Sequence, residues 1–208
     1  HNSRGADGEI IAKRGFWPGL CTSLKHNSKF ASYCILAKGQ YPAELNISLP
    51  FTLVSNDEST GRLILLPGYW FEYNMYALAR NSWKYGARDR RVEKNQPLRF
   101  EYLAPDTVNE MLEGMTTLAK LTAEYRNISL EDARRSLQNG NDLPLETDGF
   151  ERSRRKALVR HPAKAWNWYR SLIILYAVSS LAENSNRFTS VEDLISQSRE
   201  AKRESWIN

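Results

Sequence analysis

Short apolar runs, separated by proline and glycine, fill residues 16–54 and limit what this chain can fold into. The runs are about four to six residues long, and their centres near Leu20, Ile35 and Leu53 lie 15 and 18 residues apart. Apolar runs of this length, bounded by turn-forming residues, are typical of β-strands. We therefore predict a β-rich region that extends to about residue 66, with a hairpin around the polar turn at residues 55–61.

Two folds agree with this spacing of the strands. A left-handed parallel β-helix of hexapeptide repeats has three short strands in each coil, so equivalent strands recur about every 18 residues. A small antiparallel sheet accounts for the same runs equally well. The spacing by itself leaves both folds open.

The apolar period becomes helical after residue 66, which makes the chain α+β with segregated elements. The clearest amphipathic pattern begins after Asp106 and ends near Arg126, and Pro162 stands at the first turn of a long helix. We predict a β domain over residues 1–66 and a helical domain over residues 67–208. Helices are predicted over residues 69–84, 106–126, 129–138 and 162–184 and from the basic run at 152–156, and a strand over 97–104.

Composition narrows the classes of partner. The net charge of +5 and the isoelectric point of about 9.2 allow anionic ligands, but charges of both signs alternate along the chain, so we do not expect nucleic acid. No stretch approaches the ~20 apolar residues of a membrane span. No secretory signal is visible, so we predict a cytoplasmic protein without a membrane partner.

Cys21 and Cys34 lie in strand-like sequence and are predicted to be buried thiols, with no metal site and no cofactor.

Several stretches together resemble a known family: GFWPGLCTSLKHNSKFASYCILAKGQYPAEL, the earlier HNSRGADGE and the later PGYWFEYNMYALARNSWK and RDRR. They are similar to an uncharacterised bacterial family of large left-handed β-helix proteins of the hexapeptide-repeat, LpxA-like type. Some of its members are labelled glucose-1-phosphate nucleotidyltransferases. The resemblance implies that this chain, which begins with His1 rather than Met, is the C-terminal part of a longer protein. It favours the terminal coils of a left-handed parallel β-helix followed by a C-terminal helical bundle.

His26 is the first candidate for a catalytic group. In β-helix acyltransferases, the fold relatives that the resemblance suggests, a histidine on a coil acts as a general base on a sugar hydroxyl or amine. Asn27, Ser28 and Lys29 follow it and are candidate substrate contacts. The alternative is a turn in which the histidine ring and the Asn and Ser side chains bond to nearby backbone groups.

Two further groups are candidate substrate contacts. The opening tetrapeptide echoes the sequence at His26, so stacking of the two would bring His1, Asn2 and Arg4 to the same cleft. Arg80 and Arg88 carry guanidinium groups suited to a sugar phosphate. The alternative for the arginines is a solvated connector, and the aromatic residues near them (Phe16, Trp17, Tyr69, Trp70 and Tyr73) either stack on a sugar ring or pack in the core.

These features lead to two hypotheses from different classes. In the first, the chain is part of a transferase of the hexapeptide-repeat type. This enzyme would act on a sugar or nucleotide sugar by nucleotidyl or acyl transfer. In the second, it is a structural module without catalysis, whose helices cap a β-helix and support a homo-oligomer, such as a trimer. The sequence leaves open whether the chain is an enzyme.

Overall fold

The computed structural model describes residues 8–96, 98–183, 190, 192–193 and 195–196 of the chain. Nine strands come first among them: β1 (Ile11–Ala12), β2 (Trp17–Pro18), β3 (Thr22–Leu24), β4 (Lys29–Phe30), β5 (Ile35–Leu36), β6 (Gly39–Tyr41), β7 (Asn46–Ile47), β8 (Leu53–Asp57) and β9 (Arg62–Leu66). Later elements are α1 (Tyr69–Tyr73), α2 (Met75–Arg88), α3 (Pro105–Arg126), α4 (Leu130–Gln138), β10 (Leu145–Thr147), β11 (Ala157–Val159) and α5 (Pro162–Glu183).

The first strands pair in parallel with strands that lie 17 or 18 residues further along the chain. β4 lies between β1 and β7, β5 lies between β2 and β8, and β3 pairs with β6. Each strand contributes two to five residues, and the side chains that point inward, such as Phe30, Leu36 and Ile47, are buried. The spacing in the sequence thus predicts which strands are neighbours.

The prediction of terminal β-helix coils followed by a helical bundle is wrong. The described residues form small sheets with parallel and antiparallel pairs, and no regular left-handed β-helix is found among them. The chain reverses at Gly61, so β9 runs antiparallel to β8, as the predicted hairpin requires. The C-terminal half then adds two more strands, because β11 pairs with β9 and β10 pairs with β11. The region predicted to be a helical bundle therefore also contributes two strands, β10 and β11, that were not predicted.

Local signals place most of the helices correctly. α3, α4 and α5 are confirmed within one or two residues of their predicted bounds. Ser129 caps α4 as predicted, because its hydroxyl accepts a hydrogen bond from the backbone N–H of Asp132. The helix predicted over residues 69–84 is divided at Asn74 and continues to Arg88. The basic run at 152–156 does not open a helix but precedes β11, and no strand forms over the described residues 98–104.

α3 is attached to the strand region by a buried carboxylate. Glu110 accepts hydrogen bonds from the backbone N–H of Ser32 at 2.7 Å and from its hydroxyl at 2.9 Å, and it pairs with Lys13 at 3.0 Å. α5 is held nearby by Tyr169, whose hydroxyl donates to the carbonyl of Pro50. Gly114 of α3 lies against the Tyr169 ring, and a Cβ at this position would approach the ring to 3.0 Å. These contacts fix α3 and the start of α5 against the turns between strands.

The two cysteines differ in their surroundings. Cys34 is fully buried, its thiol donates to the carbonyl of Leu49, and burial raises the pKa of the thiol to about 12. Cys21 is exposed and has a left-handed backbone. The prediction of buried thiols is confirmed for Cys34 and wrong for Cys21.

The chain divides into two compact units, residues 1–173 and residues 174–208. The first unit holds β1 to β11 and the helices up to the middle of α5. The described part of the second unit includes the end of α5, where Ile174, Leu175 and Val178 are exposed.

No helix in the described ranges is long and apolar enough to cross a membrane. The boundary at residue 66 and the cytoplasmic location remain predictions.

Candidate functional site

The tetrapeptide at His26 forms a tight turn between β3 and β4. Asn27 adopts a left-handed backbone conformation with φ of 65°, which asparagine tolerates better than most residues. Its N–H donates to the carbonyl of Glu9, and its side-chain amide lies 3.4 Å from the Glu44 carboxylate. His26 is exposed and its ring lies against Gly8, where any larger residue would overlap with it. The turn thus exposes His26, Asn27 and the nearby Lys29 to solvent.

Ser28 is different from its neighbours because it is completely buried. Its hydroxyl donates to the carbonyl of Lys25 at 2.7 Å and accepts from the N–H of Leu45 at 3.0 Å. The hydroxyl is therefore engaged both as a donor, to the backbone before the turn, and as an acceptor, from the backbone just before β7. Roles for Ser28 and His26 in substrate binding and catalysis stay predictions. His1, Asn2 and Arg4 lie outside the described residues, so stacking of the two tetrapeptides is a prediction as well.

The basic residues after α1 form an open groove with a volume of about 750 Å³ along one side of α2 and the segment that follows it. We call it the cationic groove. Its lining is Asn81, Lys84, Tyr85, Arg88, Asp89, Arg90 and Arg91. Arg88, one of the predicted contacts, lines the groove. Arg80 lies on α2 one helical turn before Lys84 and is not part of the lining.

One ion pair fixes the end of the groove. Arg91 donates to both carboxylate oxygens of Asp89 at 2.9 Å, and these bonds hold the pKa of the Asp89 carboxyl at about 2. The side chains of Lys84, Arg88 and Arg90 have no hydrogen-bond or ion-pair partner among the residues that the structure describes. The groove therefore contains three cationic side chains whose charge is not neutralised by a nearby carboxylate.

A second cavity, which we call the aromatic pocket, lies beside the groove and has a volume of about 260 Å³. Most of its wall is aromatic: Phe16, Trp17, Tyr33, Trp70, Tyr85 and Phe100. Trp70 is fixed by a hydrogen bond from its indole N–H to the carbonyl of Tyr33 at 2.6 Å. Polar groups come from Asn81 and Ser82 on α2. The pocket thus offers ring faces on several sides and two polar side chains.

The aromatic pocket and the cationic groove are contiguous, because Asn81 and Tyr85 line both of them. On α2, these two residues separate the cations at Lys84 and Arg88 from the buried Leu78. Tyr85 also packs on Phe100, with ring centroids 4.9 Å apart, and so joins α2 to the segment before α3. A ligand with a ring and an adjacent anionic group could occupy both cavities.

A third cavity, of about 450 Å³, lies between α3 and the region after β1. Four of its charged groups form two pairs: Lys13 with Glu110, and Arg14 with Asp106 at 2.6 Å. The fifth, Glu113, is a carboxylate, so this cleft is less suited to an anionic ligand than the cationic groove. No group of three or more His, Cys, Asp or Glu side chains within the described ranges could hold a metal ion.

Comparison with known proteins finds a relative in Treponema pallidum (strain Nichols), described as an uncharacterized protein. The two are 37% identical over 216 residues, an alignment that covers all of this chain and 30% of the relative. The chain is similar to part of a longer protein. It spans about 30% of the length of the relative that it matches. No family model and no solved structure matches the chain, so the resemblance to the hexapeptide-repeat family stays a prediction.

The sequence indicated part of this site. Phe16, Trp17 and Trp70 were candidates for stacking on a sugar and do line the pocket, whereas Tyr69 and Tyr73 do not. Tyr33 and Phe100 were not among the candidates, because they come from parts of the chain that meet only in the fold. Lys84 and Tyr85 could have been found from their spacing, since residues three and four positions before Arg88 share a helix face with it.

Proposed function

We propose that this chain binds a sugar phosphate or a nucleotide sugar, as part of a transferase that acts on it. The observation that supports this most strongly is the shared wall between an aromatic pocket and a groove with three unneutralised cations. A sugar or base ring can stack on aromatic faces, and its phosphate can lie beside the ring against the cations. The two parts of such a ligand match the two cavities.

The pocket has features suited to a polar ring. Aromatic side chains bind the apolar faces of a sugar or a base, while a few polar groups set its orientation. Asn81 offers a side-chain amide with no partner among the described residues, and it stands where pocket and groove meet. Ser82 is already engaged, because its hydroxyl lies 3.3 Å from the carbonyl of Phe100. Asn81 is therefore our candidate for hydrogen bonding to a ring hydroxyl or a base.

The groove has features suited to a phosphate. Guanidinium groups bind phosphate oxygens in a bidentate manner, and lysine adds a mobile positive charge. Arg88 and Arg90 are available for such contacts, whereas Arg91 is already held by Asp89. Asp89 is a poor general base because its pKa is about 2. We therefore assign substrate binding, rather than proton transfer, to the groove. His26, the base predicted from the sequence, lines neither the groove nor the aromatic pocket.

Binding measurements test this proposal with three probes: glucose 1-phosphate, UDP-glucose and glucose. We expect the two phosphorylated probes to bind the full chain in calorimetry and glucose to bind far more weakly. Replacing Tyr85 and Phe100 by alanine should weaken UDP-glucose binding by several-fold, because stacking partners are lost. Tyr125→Ala, which removes an exposed tyrosine from α3, is the control. Equal binding of all three probes, or equal effects of both variants, would contradict the proposal.

A second candidate function, assembly with other chains, is favoured by the edges of the sheets. Among the strands that the structure describes, β1, β2 and β3 each stand at the end of a sheet, and Ile11, Trp17 and Leu20 near these edges are exposed. Strand edges with unpaired backbone groups and exposed apolar residues are common docking surfaces for other strands. We expect the chain to self-associate as its concentration rises in sedimentation velocity, and Trp17→Lys to reduce this. A monomer at every concentration would exclude self-assembly.

A further inference from the structure

We propose that Lys84 is a nucleophilic amine that forms a reversible imine with an anionic aldehyde bound in the cationic groove. Lys84 lies on α2 between Arg80 and Arg88, one helical turn from each. It lines the groove next to Asn81 and Tyr85, which also line the aromatic pocket. This inference goes beyond phosphate binding, but it rests on the proposed function, which puts the anionic group of the ligand in the cationic groove.

The charges around Lys84 favour its neutral form. Arg80 and, after it, Arg88 lower the pKa of the Lys84 amine by electrostatic repulsion, and partial desolvation acts in the same direction. Arg90, from the segment after α2, lines the same groove, while Asp89 and Arg91 bind each other. No carboxylate in the described part of the chain pairs with Lys84. A larger share of this amine is therefore unprotonated near pH 8, and only an unprotonated amine attacks a carbonyl.

Three other lysines of the chain lie beside a carboxylate instead of beside other cations. Lys156 pairs with Asp148 at 2.6 Å and Lys164 with Glu72 at 3.0 Å, and these carboxylates raise the pKa of both amines. Lys13 pairs with the buried carboxylate of Glu110. The amines of Lys156 and Lys164 therefore remain protonated and paired under the same conditions. They are internal standards against which the reactivity of Lys84 can be measured.

The groove also selects the kind of aldehyde. Arg88 and Arg90 attract a phosphate or another anion, which raises the local concentration of the attached carbonyl beside Lys84. The nitrogen lone pair attacks the carbonyl carbon, and after loss of the oxygen a C=N double bond replaces the C=O double bond. Two amine hydrogens leave with the carbonyl oxygen as water, so the step needs no oxidant or reductant. A phosphorylated aldehyde with a ring, or an open-chain sugar phosphate, has the matching chemistry.

Chemical trapping with pyridoxal 5′-phosphate, which carries a ring, a phosphate and an aldehyde, tests the inference. The full chain is incubated with limiting probe from pH 6 to pH 10, reduced with borohydride and mapped by peptide mass spectrometry. We expect labelling at Lys84 to exceed that at Lys156 and Lys164 by several-fold at pH 8. Pyridoxal, which lacks the phosphate, should show a smaller preference, and glucose 1-phosphate should compete with labelling. Even labelling of the three lysines would overturn the inference.

The variant Arg80→Gln separates the electrostatic effect from binding, because Arg80 does not line the groove. Removing this positive neighbour should raise the pKa of Lys84, so the midpoint of its labelling should move to higher pH. Arg134→Gln on α4 is the matched control and should leave the midpoint unchanged; a shift of the same size in both variants would contradict the inference. If glucose 1-phosphate binds but Lys84 is not preferred, imine formation fails and the proposed function stands. If glucose 1-phosphate does not bind and Lys84 is not preferred, both the imine and the proposed function are rejected.

Discussion

Replacing Glu110 by alanine is expected to lower the free energy of unfolding by about 3 kcal/mol. The carboxylate is buried on α3 and accepts two hydrogen bonds from Ser32, one from its backbone N–H and one from its hydroxyl. The alanine variant leaves these two donors without a partner and removes the counter-charge of Lys13. Urea unfolding followed by circular dichroism measures the loss.

Two variants on the same helix calibrate this result. Glu113→Ala removes an exposed carboxylate from α3 and should change stability by less than about 0.5 kcal/mol. Glu110→Gln keeps an oxygen that can accept from Ser32 but removes the charge opposite Lys13, so its stability should lie between the parent and the alanine variant. If Glu110→Ala were no less stable than Glu113→Ala, the carboxylate would not hold α3 against the strands.

Elements determined by local sequence were predicted well. α3 begins at Pro105 and carries apolar residues at helical spacing, and α4 is capped by Ser129, so both helices were found within one or two residues. The hairpin of β8 and β9 followed from two apolar runs around a polar turn. Each of these signals lies within a few residues of the structure that it determines, and this is why the sequence alone is sufficient there.

Elements determined by distant contacts were not predicted. Ala157–Val159 follows a basic run that suggested a helix, but pairing with the buried strand β9 makes it a strand. Arg155, the basic residue that is partly buried here, keeps polar partners because it donates hydrogen bonds to the carboxylate of Glu151 and to the side-chain oxygen of Asn56. The β-helix prediction failed for a related reason. The spacing of about 18 residues identifies the neighbouring parallel strands. It does not show that the chain reverses at β9, or that strands from the C-terminal half join the same sheet.

The candidate site shows the same limit. Arg88 and Trp70 were candidates from residue type alone, but residue type does not show that an aromatic pocket and a cationic groove share Asn81 and Tyr85. Phe100 enters the pocket from a segment that was predicted to be a strand. Whether a cation is already neutralised also depends on the fold, since Arg91 has a carboxylate partner and Arg88 has none in the described part of the chain.

Changing Lys84, Arg88 and Arg90 together to glutamine is expected to weaken glucose 1-phosphate binding by roughly 10- to 100-fold. These side chains supply the positive charge of the groove that no described carboxylate neutralises. Binding by the parent should weaken as salt rises, because salt screens exposed charges, and the triple variant should lose most of this dependence. Isothermal titration calorimetry at two salt concentrations measures both effects.

The control for this variant must remove the same charge elsewhere. Lys120, Arg134 and Arg154 are exposed, have no ion-pair partner in the described ranges and contribute the same one lysine and two arginines. Changing these three to glutamine lowers the net charge equally but leaves the groove intact, so phosphate binding should remain close to that of the parent. If affinity falls equally in both variants, the overall positive charge attracts the phosphate and the groove is not its site. A loss confined to the groove variant places the phosphate beside the aromatic pocket.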